Sequence, residues 1–135
     1  MKIIETLESH HRPQLHELYL QQWWSNTRTP EEVDLVLAGS SITLGMVDDH
    51  NNLIGFTRVL TDGIFKAIMF DVIVNEQYRG HKIGSQLVGY VKKHPKLSRV
   101  KHLELYCLPE LQGYYQQFGF ETDVGGMELM RLTMR

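Results

Sequence analysis

Between Ala67 and Val74 the sequence "AIMFDVIV" carries one charge, Asp71, in an otherwise unbroken apolar run. A strand of that composition is covered on both faces of a sheet, so the rest of the chain must supply a layer on each side of it. The run leads directly into "NEQYRGHKIGSQLVGYV", where Gly80 and Gly84 sit in a polar loop and Ile83, Leu87, Val88 and Val91 then recur at helical spacing. That stripe predicts an amphipathic helix from about Ile83, stopped at His94 and Pro95.

The other elements arrange themselves around this unit. "MKIIETL" reads as a first strand, and "SHHRPQLHELYLQQWW" as a helix with Pro13 in its first turn and Leu15, Leu18 and Tyr19 on one face. In "TPEEVDLVLAGS" Thr29 caps, Pro30 starts the helix, Glu32 completes a capping box and Gly39 ends it. "SITLGMVDD" and "NLIGFTRVLT" form a hairpin, and "VKHLELYC" a later strand. "PELQGYYQQFG" is a helix weakened by Gly113 and closed by Gly119, and "FETDV" with "GMELMRLTM" a final hairpin turned at Gly125 and Gly126. The predicted order is β-α-α-β-β-β-α-β-α-β-β, an α/β (α+β) fold with a mixed sheet and helices on its faces, in one domain over residues 1–135.

Composition narrows the function classes. With 42% hydrophobic and 22% charged residues, a net charge of −2 and no block of Lys or Arg, neither nucleic acid nor an anionic membrane is an expected partner. No apolar run reaches about 18 residues and "MKIIETLESHHRP" soon turns polar, so neither a membrane span nor a signal peptide is expected, and the cytoplasm is the expected compartment. The single Cys107 forbids an internal disulfide, and the seven histidines show no ligand spacing, so no metal is expected.

A loop that turns straight into a helix leaves the first-turn amides exposed at the positive end of the helix dipole, which suits phosphate. Arg79 and Lys82 add charge there. Glycines also serve simply to turn a strand into a helix, and both readings stay open on the loop alone. The spacing of Gly80 and Gly84 fits neither the dinucleotide fingerprint nor the P-loop.

A second stretch, "YYQQFGF" from Tyr114 to Phe120, follows the next strand. Together with "VIVNEQYRGHKIGS" it resembles the GNAT superfamily of acetyl-CoA-dependent N-acetyltransferases, whose loop reads R/Q-x-x-G-x-G/A and whose late helix commonly reads FYEKLGF. The resemblance covers essentially the whole chain and implies the GNAT-like acyl-CoA N-acyltransferase fold with a splayed central strand pair. It implies that Val72, Ile73 and Val74 offer backbone groups to pantetheine, and that the pyrophosphate rests on the loop from Arg79 through Gly80, His81, Lys82, Ile83 and Gly84 to Ser85. Tyr115 matches the tyrosine aimed at the coenzyme sulfur. Two positions depart: Lys82 stands where the motif has its first glycine, so a positive φ there is strained, and Leu108 replaces a frequent asparagine.

The implied reaction moves acetyl from acetyl-CoA to a primary amine of a small molecule or peptide, with Tyr115 as proton donor to the departing thiolate. Asp71 is the candidate base, because burial raises a carboxyl pKa unless a cation compensates; Arg58 on the preceding strand is the cation that would make it structural instead. Glu76, Asp62 and Glu104 are weaker candidates for the base. Trp23 and Trp24 are expected near the acceptor, one in the core and one as a pocket wall, with Arg58 and Asp62 beside them and Asp62 suited to a cationic acceptor. A homodimer is compatible with these features. The competing readings are a non-catalytic acyl-CoA-binding sensor or regulatory module, and a structural domain with a glycine turn.

Overall fold

The apolar run forms β4 (Lys66–Val74), fourth in a sheet ordered β1-β2-β3-β4-β5. Its companions are β1 (Lys2–Ile4), β2 (Ile42–Val47), β3 (Leu53–Thr61) and β5 (His102–Glu104). Neighbours run antiparallel except β4 and β5, which are parallel because the connection between them passes through α3 (Ile83–Lys92). The computed structural model describes residues 1–135 as two compact units, Met1–Leu105 and Tyr106–Arg135.

In the first unit both faces of the sheet are covered, as β4 requires. On one face α1 (His11–Leu20) and α2 (Pro30–Gly39) contribute Leu15, Leu18, Tyr19 and Val33 to a core shared with Val47, Leu53, Phe56 and Ile73. On the other, α3 buries Ile83, Leu87, Val88 and Val91. Adjacent residues of β3 show the division: Phe56 joins the α1 core, and a Cβ on Gly55 would lie 2.8 Å from Ile83 Cγ2 of α3. The absent side chain at Gly55 is what lets α3 sit this close to the sheet.

Caps and turns follow the local chemistry. Thr29 and Glu32 make the expected capping box at α2. Between β2 and β3 the Asp48 carboxylate accepts the N–H groups of His50 and Asn52, each at 2.9 Å, and these bonds, that of Asn52 foremost, hold its carboxyl below the usual range. Asp62 does the same after β3, accepting from Ile64, Phe65 and Lys66 at 2.8–3.2 Å. Two histidines are interior: His11 is fully buried, and His94 accepts from the Lys96 N–H while its Nε2 meets Glu5 Oε1 at 2.6 Å.

In the second unit a 3-10 turn at Pro109–Leu111 leads into α4 (Gln112–Gln116), and Gly119, at φ +95°, ends the helical region. Tyr114, Tyr115, Phe118 and Phe120 pack edge to face around it. The predicted final hairpin does not form. Gly125 and Gly126 take positive φ as a turn requires, yet no ladder joins their flanks, and Met127, Leu129, Met130, Leu132 and Met134 are exposed. A two-stranded ribbon by itself is marginal in water, and apolar residues on both faces of "MELMRLTM" gain nothing from a free hairpin. No helix is long and apolar enough to cross a membrane.

Gly55→Ala is expected to destabilise the protein by about 1–3 kcal/mol, because the added methyl must displace a buried branched side chain. Chemical denaturation of variant and parent, compared at equal m-value, measures this.

Candidate coenzyme and acceptor site

Asp71 breaks the regularity of β4. It takes a left-handed conformation at φ +57°, and the register with β3 shifts there: Arg58 faces Phe70 whereas Phe56 faces Ile73. Two steps on β3 thus match three on β4, which is a β-bulge. Aspartate tolerates this conformation better than most residues, and its side chain is anchored. Asp71 Oδ2 accepts from Tyr19 Oη at 2.9 Å, Arg28 Nη1 at 2.9 Å and Arg58 Nε at 2.7 Å. The side chain is only 5% exposed, so its charge is stabilised by the two guanidinia and not by water. Arg28 lies 4.5 Å from the ring centre of Tyr19 and 5.5 Å from that of Trp24, and Arg58 stacks on Phe70 at 4.7 Å.

The bulge changes which backbone groups of β4 face outward. Asp62 N–H donates to Lys66 O, so before the bulge the even-numbered residues of β4 point their groups at β3. Asn75 N–H donates to Ile54 O, so after it the odd-numbered ones do. Val72 and Val74 therefore face the β5 side, and Ile73 faces β3. This corrects the assignment of Ile73 to the coenzyme edge: its main chain belongs to the β3 ladder and its side chain is buried in the α1 core. On the β5 side the ladder covers only Lys66 to Ile68. Beyond Ile68 the two strands no longer pair, which is the expected splay.

After Val74 the chain makes a 3-10 turn at Glu76–Tyr78 and reaches the loop. Gly80 has φ +86°, and Lys82, the N-cap of α3, sits at φ +59°, ψ +25°. A left-handed residue followed by helical ones turns successive N–H groups into one concavity, a form of nest that accepts anions. The amides of Gly80, Lys82, Ile83 and Gly84 donate to no protein group, whereas Arg79 N–H donates to Glu76 O and His81 N–H to Tyr78 O. The cradle is thus narrower than the stretch from Arg79 to Ser85, and Arg79 and His81 are corrected out of it as amide donors. The exposed His81 ring has its Nδ1 3.0 Å from Tyr78 O. The Arg79 and Lys82 side chains are exposed and ion-paired to nothing in the chain.

The profile of an acetyltransferase (GNAT) domain matches residues 40–122, more than half of the chain, which takes in β4, its bulge and the loop before α3 but not Tyr19, Trp24 or Arg28. The chain belongs to the GNAT acetyltransferase family. An uncharacterized N-acetyltransferase, ycf52, of Gracilaria tenuistipitata var. liui is 26% identical over 106 residues, covering 76% of this chain and 58% of that relative. The ycf52 protein of Porphyra purpurea is also 26% identical, over 76% of this chain and 61% of the relative, so the chain spans about three fifths of the length of these proteins. Among solved structures, glucosamine-6-phosphate N-acetyltransferase from Arabidopsis thaliana superposes with a TM-score of 0.79 at 19% identity, over 99% of this chain and 98% of that one; the likeness is one of fold. An aminoglycoside 6'-N-acetyltransferase complexed with coenzyme A has a TM-score of 0.67 at 26% identity, over 78% of this chain and 61% of that chain.

Several residues expected in this GNAT site are placed differently by the structure. Asp71 is corrected from candidate base to anchor, because three donors occupy Oδ2 and the second guanidinium, from Arg28, was not foreseen. Arg58 is its partner, as the alternative reading held. Asp62 is corrected from acceptor-binding acid to turn cap, with its carboxylate spent on three main-chain N–H groups. Neither tryptophan is core: Trp23 is 73% exposed and Trp24 40%. Glu104 pairs with Lys66 at 3.0 Å, and Glu76 is exposed in the turn before the loop. Ile83 contributes its amide while its side chain packs under Gly55.

Tyr19 and Arg28 are the members of the network that sequence reasoning missed. Tyr19 carried a signal only for the core face of α1, and Arg28, in "SNTRTP", carried none. Burial, reinforced by the Asp71 charge, pushes the Tyr19 phenol well above its ordinary range, so it keeps its proton. Tyr115 lies on α4 in the second unit, half-buried; burial first, then Tyr114 and Cys107, push its pKa up to about 12. Glu8, His10 and His11 bring metal-capable atoms within 4.8 Å of one another. Both ring nitrogens of His11 are already engaged, Nδ1 by the Glu8 N–H and Nε2 by Asn51 O, each at 3.0 Å, so no lone pair is left for an ion.

Asp71→Asn keeps a residue that tolerates positive φ and removes the charge. Leaving two guanidinia uncompensated is expected to cost about 3 kcal/mol, read by urea denaturation. Lys82→Gly is expected to stabilise by roughly 0.5–1 kcal/mol, since the left-handed penalty of about 1–2 kcal/mol outweighs the added entropy of an unfolded glycine. Lys82→Ala, which keeps the penalty, is expected to give no such gain in the same melting experiment.

Proposed function

We propose that this chain is an acetyl-CoA-dependent N-acetyltransferase that moves the acetyl group directly to a primary amine of a small molecule or peptide. The observation that carries the reading is the continuity of two features: a β4 edge released beyond Ile68 runs into a loop with four undirected amides. The first suits an extended, amide-bearing chain and the second a pyrophosphate, and coenzyme A joins those two parts at the matching ends. Acetyl-CoA, when bound, supplies an acetyl thioester whose sulfur is the leaving group.

The residues of the chain take the remaining tasks. The amides of Gly80, Lys82, Ile83 and Gly84 hold phosphate oxygens, with the Arg79 and Lys82 side chains adding charge. Val74 and Val72 pair with the pantetheine amides along the β4 edge. The Val72 N–H also faces the position where negative charge develops on the thioester oxygen, and one such preorganised donor contributes roughly 2.7–4 kcal/mol. Tyr115 donates its proton to the sulfur as the C–S bond breaks and the N–C bond forms, and the proton that the amine nitrogen sheds passes through water and restores the phenol, so that amide and free thiol are the net products. With its pKa pushed up to about 12 it keeps that proton through the ordinary range of a phenol, near about 10.

Coenzyme A at 100 times its Kd is expected to add about 2.7 kcal/mol of stability, seen as a rise in melting temperature; no rise at any concentration overturns the coenzyme site. Thiol release from acetyl-CoA with a panel of amines tests the transfer itself, and binding without release across a broad panel would replace this reading with that of a sensor. Tyr115→Phe should lower kcat with little loss of acetyl-CoA affinity, and the parent's kcat should show no loss of an acid group until pH rises towards about 12. An unchanged kcat in Tyr115→Phe removes the tyrosine from the mechanism.

A further inference from the structure

We propose that the acceptor is an amine that also carries an oxyanion, a carboxylate or a phosphate, bound by Arg28 with Arg58 beside it. The inference rests on the acetyl-transfer reading above and names the acceptor class of the same site. Two guanidinia share one carboxylate oxygen, and no other acid is ion-paired to either, so the group carries one net positive charge. Tyr19, the third donor to Asp71, does not offset it, since its phenol stays protonated.

The unused donors are accessible. Arg28 spends Nη1 on Asp71 and lies within bonding reach of the Tyr19 hydroxyl, and Arg58 spends Nε, which leaves the remaining N–H groups of both forks for a ligand. No unpartnered side-chain nitrogen is buried, so these donors open to solvent, and the Arg28 side chain is 27% exposed against 14% for Arg58. Both forks are preorganised: Arg28 lies against the rings of Tyr19 and Trp24, and Arg58 against Phe70. A planar fork fixed in this way binds a carboxylate or phosphate in two-pronged geometry without first losing side-chain entropy.

Position ties this charge to the chemistry. Both forks attach to Asp71, the residue before Val72, whose amide faces the released edge of β4. An acceptor held by its oxyanion on Arg28 keeps its amine within a few bonds of that edge, and the exposed Trp24 ring lies beside the same fork, 5.5 Å from it. The surplus positive charge also acts on the amine. It disfavours the ammonium form and so favours the neutral nucleophile, a task for which the chain offers no free buried carboxylate once Asp71 is taken up.

The test uses matched acceptors: β-alanine against β-alaninamide for the carboxylate, phosphoethanolamine against ethanolamine for the phosphate, and a diamine as the cationic case. The expected result is a kcat/KM at least about tenfold higher for the oxyanion member of one pair, the size of a lost charge-assisted bond. Whichever pair shows it identifies the oxyanion. Arg28→Gln should bring that ratio near one and Arg28→Lys should keep part of it, with melting curves confirming that both variants fold. Calorimetry with N-acetyl-β-alanine and phosphoethanolamine, in the presence of coenzyme A, reads the same site without turnover and should lose its signal in Arg28→Gln. Turnover of the diamine, or of the oxyanion-free member in both pairs, at equal or higher kcat/KM, or an unchanged ratio in Arg28→Gln, overturns the inference and leaves the acetyl-transfer reading standing. No thiol release with any amine, together with no coenzyme A stabilisation, overturns that reading and this inference with it.

Discussion

One carboxylate oxygen organises the functional half of this molecule. Asp71 Oδ2 gathers a hydroxyl from α1, a guanidinium from the segment before α2 and another from β3. That convergence holds a left-handed residue in the middle of a buried strand, where the backbone would otherwise run on regularly. The bulge adds one residue to β4 and so reverses the side to which every later main-chain group points. Without it Ile73 would face the open edge and Val72 and Val74 would bond β3. The ion pairs and the exposed backbone edge are two ends of one local distortion.

A second left-handed residue sits at the end of the same segment. Lys82 occupies a conformation that glycine adopts at no cost, and it does so at the N-terminus of α3, where its amide and the next two converge. The strain buys a side-chain charge beside the anion nest, which glycine could not supply. Backbone strain and the placement of this charge are therefore set against each other at this position.

The electrostatic sign of the acceptor region is decided by pairing. Read along the chain, "RVLTD" offers an arginine and an aspartate on equal terms. In the fold Asp62 turns its carboxylate onto three amides of the β3–β4 turn, and Asp71 is shared by two arginines. Asp62 is held at its turn, still charged and exposed, while the Asp71 side chain is buried under two guanidinia that together leave one positive charge over. The exposed tryptophans follow the same rule, for Trp24 serves as a face for Arg28 and fills no core position.

Much of the fold and of the coenzyme loop was legible in the sequence, because both rest on local chemistry. An unbroken apolar run demands two covering layers; Thr29, Pro30 and Glu32 specify a helix start; and a polar glycine loop before an amphipathic stripe exposes the first amides of α3. The last hairpin does not form, and the apolar residues of "MELMRLTM" fall on both faces of a would-be strand, so the pattern singles out no buried face to fix a register. The bulge, the phase of the β4 edge, and the roles of Tyr19 and Arg28 were not readable, since each depends on a partner 13 to 52 residues away. Sequence alone determined most of the strand, loop and helix segments up to α4, and that a glycine loop exposing the first amides of α3 would follow β4. Only the tertiary structure decided which backbone groups that strand leaves free and which charges remain unpaired, because both are set by contacts that close between distant elements.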